Sequence, residues 1–189
     1  TIPDGAIIPA FAFKDCPNLA EIKISGSVGW RGSHHFAGCT GLTGIQLPNW
    51  NGLSDKMFDG CTGLVGIDIP DSVITIGDSA FYGCTNLKNV RLSENLEIIY
   101  SEAFANCTSL TSLYLPDSIT TLSYRAFYGC SKLSEINYPV GWVTTFSSHN
   151  YEYSGASSNG GIFAGTAIKT ITIPDGAIIP AFAFKDCPN

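Results

Sequence analysis

The chain has 189 residues, of which 44% are hydrophobic, 12% aromatic and only 14% charged, and its formal net charge is −6. This composition excludes an intrinsically disordered chain, and the length is ample for one folded domain. The acidic balance leaves no basic patch for nucleic acid, and no apolar run is long enough for membrane insertion. The chain starts at Thr1 without a basic and then apolar leader, so we expect a mature segment or a fragment of a longer protein.

A unit of about 23 residues repeats from the start of the chain. Each cysteine follows a Phe by three positions, and the first six cysteines precede a Leu by three. The pattern is F-x-x-C-x-x-L-x-x-I-x-I/L, usually followed by Pro. The first six cysteines are evenly spaced and the last gap is more than twice as long, with the seven at Cys16, Cys39, Cys61, Cys84, Cys107, Cys130 and Cys187. The last gap contains a further repeat at Phe163, in which the Cys is lost and residues are inserted.

The repeat predicts one short strand and one return segment per turn of a leucine-rich repeat solenoid, because no single unit can bury its apolar face alone. Residues 87–92 are a typical strand, with Val90 and Leu92 inward and Arg91 outward. Seven such strands would form one parallel sheet with a spacing of about 4.8 Å. The return segment carries an apolar pair, such as Ile119 with Leu122, and we expect a single helical turn before the next Phe.

The segment from Ile69 to Leu87, IPDSVITIGDSAFYGCTNL, resembles the BspA-like class of leucine-rich repeats. The resemblance covers nearly the whole chain. It implies a single domain over residues 1–189, with seven to eight repeats stacked in a right-handed solenoid of the α/β class, mostly β, with a concave parallel sheet. It also implies a non-enzymatic, extracellular or cell-surface module that binds protein or glycan ligands in adhesion.

The outward side chains of the predicted sheet form a mixed, hydrogen-bonding surface that suits a protein or glycan. This face could equally be a plain solvated sheet. Arg91 and Tyr114 lie on adjacent repeats and are the first candidates for mutation. The ligand-binding candidates on the concave face are Lys23, Gln46, Asp68, Arg91, Tyr114 and Asn137.

Two regions depart from the repeat and are further candidates for recognition. The second repeat has Trp30, Arg31, His34 and His35 where the fourth has other residues; those of the fourth repeat are Thr75, Ile76, Ser79 and Ala80. About 13 extra residues are inserted within positions 140–161, and insertions in repeat proteins form loops on one face. The alternative is that this insertion packs back on the solenoid as a cover. Its candidate ligand-binding residues are Trp142, Phe146, His149, Tyr151 and Tyr153.

The cysteines are expected to be buried and reduced, because parallel side chains shared evenly along a stack do not favour pairing. No C-x-x-C motif occurs, which argues against zinc. None of the three histidines is placed beside a nucleophile and an orienting partner by the pattern. We therefore predict no catalytic residue, no metal site and no cofactor.

The two ends of the chain, residues 1–18 and 172–189, have the identical sequence TIPDGAIIPAFAFKDCPN. One explanation is a longer tandem array, of which residues 1–171 are one unit; another is an end engineered to complete the last repeat. Neither end shows the polar cap that a solenoid normally needs. The alternative function is therefore a structural or filament-forming segment that assembles head to tail through residues 1–18 and 172–189.

Overall fold

The computed structural model describes residues 1–143, 161–179 and 183–187. It confirms the predicted solenoid of parallel strands, with one turn of the solenoid for each repeat of the sequence. The described residues contain no helix, and so none that could cross a membrane. The strands are β1 (Ile7–Ile8), β2 (Gly29–Trp30), β3 (Gly52–Leu53), β4 (Gly66–Asp68), β5 (Thr75–Ile76), β6 (Asn89–Arg91), β7 (Ile98–Ile99), β8 (Ser112–Leu113), β9 (Thr121–Leu122) and β10 (Glu135–Ile136).

The longest sheet is formed by the return segments of the repeats, which we call the back. The sequence instead predicts a sheet of the strands typified by residues 87–92, which we call the front. Strands β3, β5, β7 and β9 pair in parallel in that order. The register places Leu53 beside Ile76, Ile76 beside Ile99 and Ile99 beside Leu122. The last three of these side chains are fully buried, so this back sheet is held by a continuous apolar row.

The front sheet is interrupted, which corrects the prediction of one seven-stranded sheet. Strand β4 pairs with β6, and β8 pairs with β10, but β6 and β8 are not joined in one sheet. Within each pair the expected register holds, with Ile67 beside Val90 and Leu113 beside Ile136.

The expected helical turn before each Phe is wrong, because the backbone there bonds along the stack instead. The amide of Phe58 donates to the carbonyl of Ala80, and that of Gly60 to the carbonyl of Tyr82, both at 2.7 Å. Lys56 has a left-handed φ of 54° and Gly60 one of 69°. The left-handed residues, four positions apart, prevent a continuous helix. Every second amide therefore donates to the neighbouring repeat, and an intervening one, that of Asp59, donates to the carbonyl of Lys56 at 3.3 Å.

The core contains one stacked column of aromatic rings, which we call the Phe column. Successive centroids are 5.0–5.8 Å apart and their planes are within 18° of parallel. Its members are Phe13, Phe36, Phe58, Phe81, Phe104, Phe127, Phe163 and Phe184.

The cysteines are free and, from Cys39 to Cys130, buried, which confirms the prediction of reduced core thiols. Each of these five thiols donates to the carbonyl oxygen of a Phe in the preceding repeat, at Sγ-to-O distances of 2.9–3.2 Å. Cysteine therefore supplies a small apolar group and a donor at the same position. Thr166 replaces it near Phe163 and donates to the carbonyl of Phe163 at 2.8 Å.

The solenoid is regular on both sides of the insertion, at Val143 and at Gly161. Val143 still donates its amide to the carbonyl of Thr120, and Phe127 donates to the carbonyl of Ile162. The insertion thus joins two regular turns of the solenoid.

Candidate functional site

The front sheet presents most of the predicted surface residues to solvent. Lys23, Gln46, Asp68, Arg91 and Tyr114 are exposed, and Tyr114 is 62% exposed. Asp68 and Arg91 lie side by side in the register of β4 and β6. The backbone pairing of β4 and β6 fixes the spacing of Asp68 and Arg91, so a ligand would meet these two side chains without first ordering a loop.

Arg91 is oriented by a carboxylate of the preceding repeat. Its Nη1 lies 3.0 Å from Oδ1 of Asp71. The same oxygen accepts the amide hydrogen of Glu94 at 3.2 Å. That backbone hydrogen bond, followed by the Arg91 guanidinium, lowers the pKa of Asp71 below its usual range. The guanidinium is therefore held in place while it remains half exposed and accessible to a ligand.

Asn137 differs from the other predicted members of this surface. Its side-chain Nδ2 donates to the carbonyl of Leu115, and its Oδ1 accepts the amide hydrogen of Leu115, both at 2.7 Å. The side chain is half-buried and joins two repeats. Its role in this structure is to replace backbone pairing at the end of β8 and β10.

Several aspartates accept hydrogen bonds from backbone amides of the following repeat. Asp55 accepts from Asp78, and Asp4 accepts from Ser27, at 2.9 and 2.7 Å. Asp117 accepts from Val140 at 3.2 Å. Within residues 1–143, 161–179 and 183–187, no three His, Cys, Asp or Glu side chains are grouped as metal ligands.

Trp142, which the sequence suggests for an exposed loop, lies in the core. It is fully buried and packs against Tyr138 at 5.1 Å and edge-on against Phe163 at 6.2 Å between ring centroids. It occupies the column of Val73 and Ile119. This burial excludes Trp142 as an exposed ligand-binding residue and agrees, for this residue, with the alternative that the insertion packs on the solenoid. Phe146, His149, Tyr151 and Tyr153 lie outside the described residues.

The unusual second repeat forms a packed aromatic cluster. His35 is fully buried, with Nδ1 3.1 Å from Oγ of Ser54 and Nε2 3.2 Å from the carbonyl oxygen of Arg31. Trp30 packs edge-on against both His35 and Trp50, at 4.8 Å. Burial lowers the pKa of His35, opposed by its hydrogen bond to Arg31. His35 thus acts in packing, with both ring nitrogens engaged.

His34 lies nearer the surface and packs against an exposed aromatic ring. Its Nδ1 is 2.7 Å from Oγ of Ser33, and its ring is 4.8 Å from that of Phe11. Burial, followed by the charge of Lys56, lowers the pKa of His34.

The left-handed turns before each Phe, which we call the turn side of the solenoid, carry a cluster that sequence reasoning missed. The Arg125 guanidinium lies over the rings of Tyr124 and Tyr128, 5.0 and 4.6 Å from their centroids. Its Nη1 is 3.6 Å from Oε1 of Glu102. In the sequence, the tyrosines on either side of Arg125 were the only indication of this cluster. It could not be predicted from them, because the left-handed backbone at Arg125 is what brings both rings against one cation.

The comparisons with known proteins agree with this architecture. The model of the BspA type leucine-rich repeat region, with six copies, matches residues 6–134 and 51–189. No curated protein matches the chain.

Solved structures of leucine-rich repeat proteins are similar to the chain. The leucine-rich repeat protein of T. pallidum is 34% identical with a TM-score of 0.66, over 69% of this chain and 62% of that one. A leucine-rich cell surface protein from Faecalibacterium prausnitzii A2-165 is 25% identical with a TM-score of 0.55, over 74% and 46%. A leucine-rich repeat protein from Eubacterium ventriosum, 24% identical with a TM-score of 0.56 over 83% and 45%, supports the fold alone. The chain thus spans less than two thirds of each of these proteins.

Proposed function

The chain belongs to the BspA-type leucine-rich repeat family, and we propose that it is a non-enzymatic binding module that recognises a protein or glycan through its front sheet. The observation that carries this proposal is the exposure of Arg91, at the end of β6, and of Tyr114, directly after β8, on the front of adjacent repeats. A planar, oriented guanidinium and an exposed phenol ring are the side-chain types that dominate recognition surfaces.

The setting proposed for this binding is the cell surface or the extracellular space. The support is the similarity to the F. prausnitzii protein, which is described as a cell surface protein. Adhesion is the role that fits a surface-displayed repeat module with a hydrogen-bonding face.

The test is a binding screen against a glycan array and a panel of purified extracellular-matrix proteins. Tyr114→Ala and Arg91→Ala should each weaken the strongest interaction by about tenfold or more. The matched controls are Tyr82→Ala and Lys56→Ala, which remove exposed residues of the turn side. Unchanged binding by both front-sheet variants, or an equal loss in the controls, would contradict the assignment to the front sheet.

A second candidate function is a structural segment that assembles head to tail, and one specific observation favours it. Residues 1–18 and 172–189 have the identical sequence, and in the described residues Phe13 stacks on Phe36 whereas its equivalent, Phe184, stacks on Phe163. Light scattering at increasing concentration tests this candidate. If the full chain grows in mass while a chain ending at Ile171 stays monomeric, assembly depends on the repeated segment; if both stay monomeric, this candidate is wrong.

A further inference from the structure

The front of the solenoid is acidic. Five carboxylates and one cation are exposed on its strands and on the residues that directly follow them, 66–71, 89–94, 112–117 and 135–137. The cation is Arg91, and the carboxylates are those of Asp68, Asp71, Glu94, Asp117 and Glu135. Lys88, directly before β6, is also exposed but leaves the excess of negative charge in place.

Most of this negative charge has no partner within the protein. Arg91 is paired with Asp71, with Nη1 3.0 Å from Oδ1. In the part of the chain that the structure describes, no ion pair includes any of the other four carboxylates. Glu94 and Asp117 occupy the position of Asp71 in the next two repeats, so the acidic row continues beyond the carboxylate that Arg91 neutralises. Charge complementarity therefore favours a cationic ligand for the front sheet, because an anion would be repelled.

Tyr114 presents its ring to solvent among these carboxylates. It directly follows β8 and is 62% exposed. The pairing of β8 with β10 places Glu135 beside Ser112, which lies two residues before Tyr114 on the same face. Asp117 follows three residues after Tyr114 in the same repeat. An exposed aromatic ring with carboxylates within one repeat of it attracts cations, and planar guanidinium groups most strongly.

The protein already holds one guanidinium of its own by this chemistry. On the turn side, Arg125 lies over the rings of Tyr124 and Tyr128, and its Nη1 is 3.6 Å from Oε1 of Glu102 in the preceding repeat. Aromatic faces and a carboxylate from adjacent repeats thus engage one arginine together. Among the described residues no cation lies over the ring of Tyr114, so the front has the same groups without an arginine of its own between them.

We propose that the front sheet binds an arginine-rich segment of a partner protein, with one guanidinium stacked on Tyr114 and others paired with Glu94, Asp117 and Glu135. This inference rests on the proposed function and names its ligand class. Arg91 does not oppose a cationic partner, because Asp71 offsets its charge. Its half-exposed guanidinium keeps further N–H donors for the backbone carbonyl oxygens of the partner.

The probes are fluorescein-labelled peptides of alternating serine and one charged residue, which is arginine, lysine or glutamate. Fluorescence anisotropy should show that the full chain binds the arginine peptide most tightly and the glutamate peptide least. Binding of the arginine peptide should weaken as the salt concentration rises, because exposed charges are screened. Equal affinity for the arginine and glutamate peptides would overturn the proposal.

Two exposed glutamates of one repeat provide matched variants. Glu94 lies on the front, and Glu97 lies directly before β7 on the back. Glu94→Gln should weaken binding of the arginine peptide by about two- to fivefold, the effect of one exposed ion pair. Glu97→Gln changes the net charge equally and should leave that binding unchanged. Equal losses would indicate a general attraction to an acidic protein and would contradict the proposal.

Tyr114→Leu tests the stacking, because it keeps an apolar side chain but removes the aromatic face. It should weaken the arginine peptide more than the lysine peptide, so that the preference for arginine falls by about two- to fivefold. Tyr114, Glu94 and Glu97 are all exposed, so these variants should fold like the unaltered chain. An unchanged preference for arginine would mean that the proposed stacking is wrong.

The screen against glycans and matrix proteins separates failure of this inference from failure of the proposed function. If Tyr114→Ala weakens binding to a neutral or sulfated glycan while the arginine peptide does not bind, the inference is wrong and the proposed function stands. If the front-sheet variants alter neither the interactions found in the screen nor binding of the arginine peptide, both are wrong.

Discussion

The thiol of Cys84 donates a hydrogen bond to the carbonyl oxygen of Phe58, with its Sγ 3.1 Å from that oxygen. Phe58 and Cys84 belong to neighbouring repeats, so the bond joins one turn of the solenoid to the next. The same carbonyl accepts the amide hydrogen of Cys61 at 3.0 Å. The buried thiols from Cys39 to Cys130, which we call the cysteine ladder, therefore have a structural role. At Phe58 the thiol and an amide together use both lone pairs of one buried carbonyl oxygen.

Replacing Cys84 with alanine should lower the free energy of unfolding by about 1–2 kcal/mol, because it removes a hydrogen bond and leaves a small void. The loss is limited because the carbonyl of Phe58 keeps its bond to the amide of Cys61. Urea unfolding measures the change. Cys16→Ala is the control, since that thiol is half-buried in the first turn and should cost less than about 0.5 kcal/mol. Equal effects at the two positions would argue against the ladder.

The buried thiols should make the fold sensitive to alkaline pH. Burial is the largest cause that raises the pKa of Cys61 from its ordinary 9.0 to about 12, and it raises the pKa values of Cys84 and Cys107 well above 9.0. The unfolded chain loses these protons first, so stability is full below pH 9 and falls as the pH rises toward 12. Each such thiol contributes a slope of about 1.4 kcal/mol per pH unit.

Urea unfolding at pH 8 and pH 10 measures this slope. The Cys84→Ala chain should lose less stability over this interval than the unaltered chain, since one thiol fewer titrates on unfolding. An identical slope for both chains would show that the thiols do not control the alkaline limit.

His35 should make the fold sensitive to mild acid. Burial holds its pKa below the ordinary 6.5, so the unfolded chain takes up a proton that the folded chain resists. Stability from His35 is therefore full above pH 6.5 and is lost as the pH falls toward the lower folded value. His34 adds an effect of the same sign.

His35→Ala should lower stability at pH 7 by about 2 kcal/mol, because the ring leaves a cavity beside Trp30, and should also flatten the loss between pH 7 and pH 5. Thermal unfolding at the two pH values provides the measurement. A variant that loses stability at pH 7 but keeps the full acid slope would assign that slope to other groups, including His34.

The Phe column should contribute most strongly at its centre. Phe81 is fully buried between Phe58 and Phe104, at centroid distances of 5.3 and 5.0 Å. Phe81→Ala should cost about 3–5 kcal/mol. The matched change Phe13→Ala, at a half-buried ring stacked on Phe36 alone, should cost clearly less in urea unfolding. Equal costs would mean that the two rings contribute alike despite their different burial.

Much of the fold could be predicted, because each turn of a stacked solenoid requires similar residues at equivalent positions. The regular spacing of Phe81 and Cys84 with their equivalents predicts one ring per turn and, except in the turn of Phe163, one thiol per turn, and the structure confirms both. The continuous back sheet through Ile76 was harder to find, because two-residue strands leave no clear alternation. The candidate surface was predicted at Arg91 and Tyr114. Trp142 was misplaced, because an aromatic residue beside an insertion gives no sign of which side of the boundary it occupies.

The sequence by itself determined the repeat, its length and the chemistry of the core positions, since stacked turns require similar residues at each level. Only the tertiary structure decided which peptide groups bond along the stack, and hence that left-handed turns take the place of helical ones. It alone also distinguished Ile8 from Ile179. These two residues lie in identical sequences, and their exposures differ because burial depends on the neighbouring turn, which no local sequence contains.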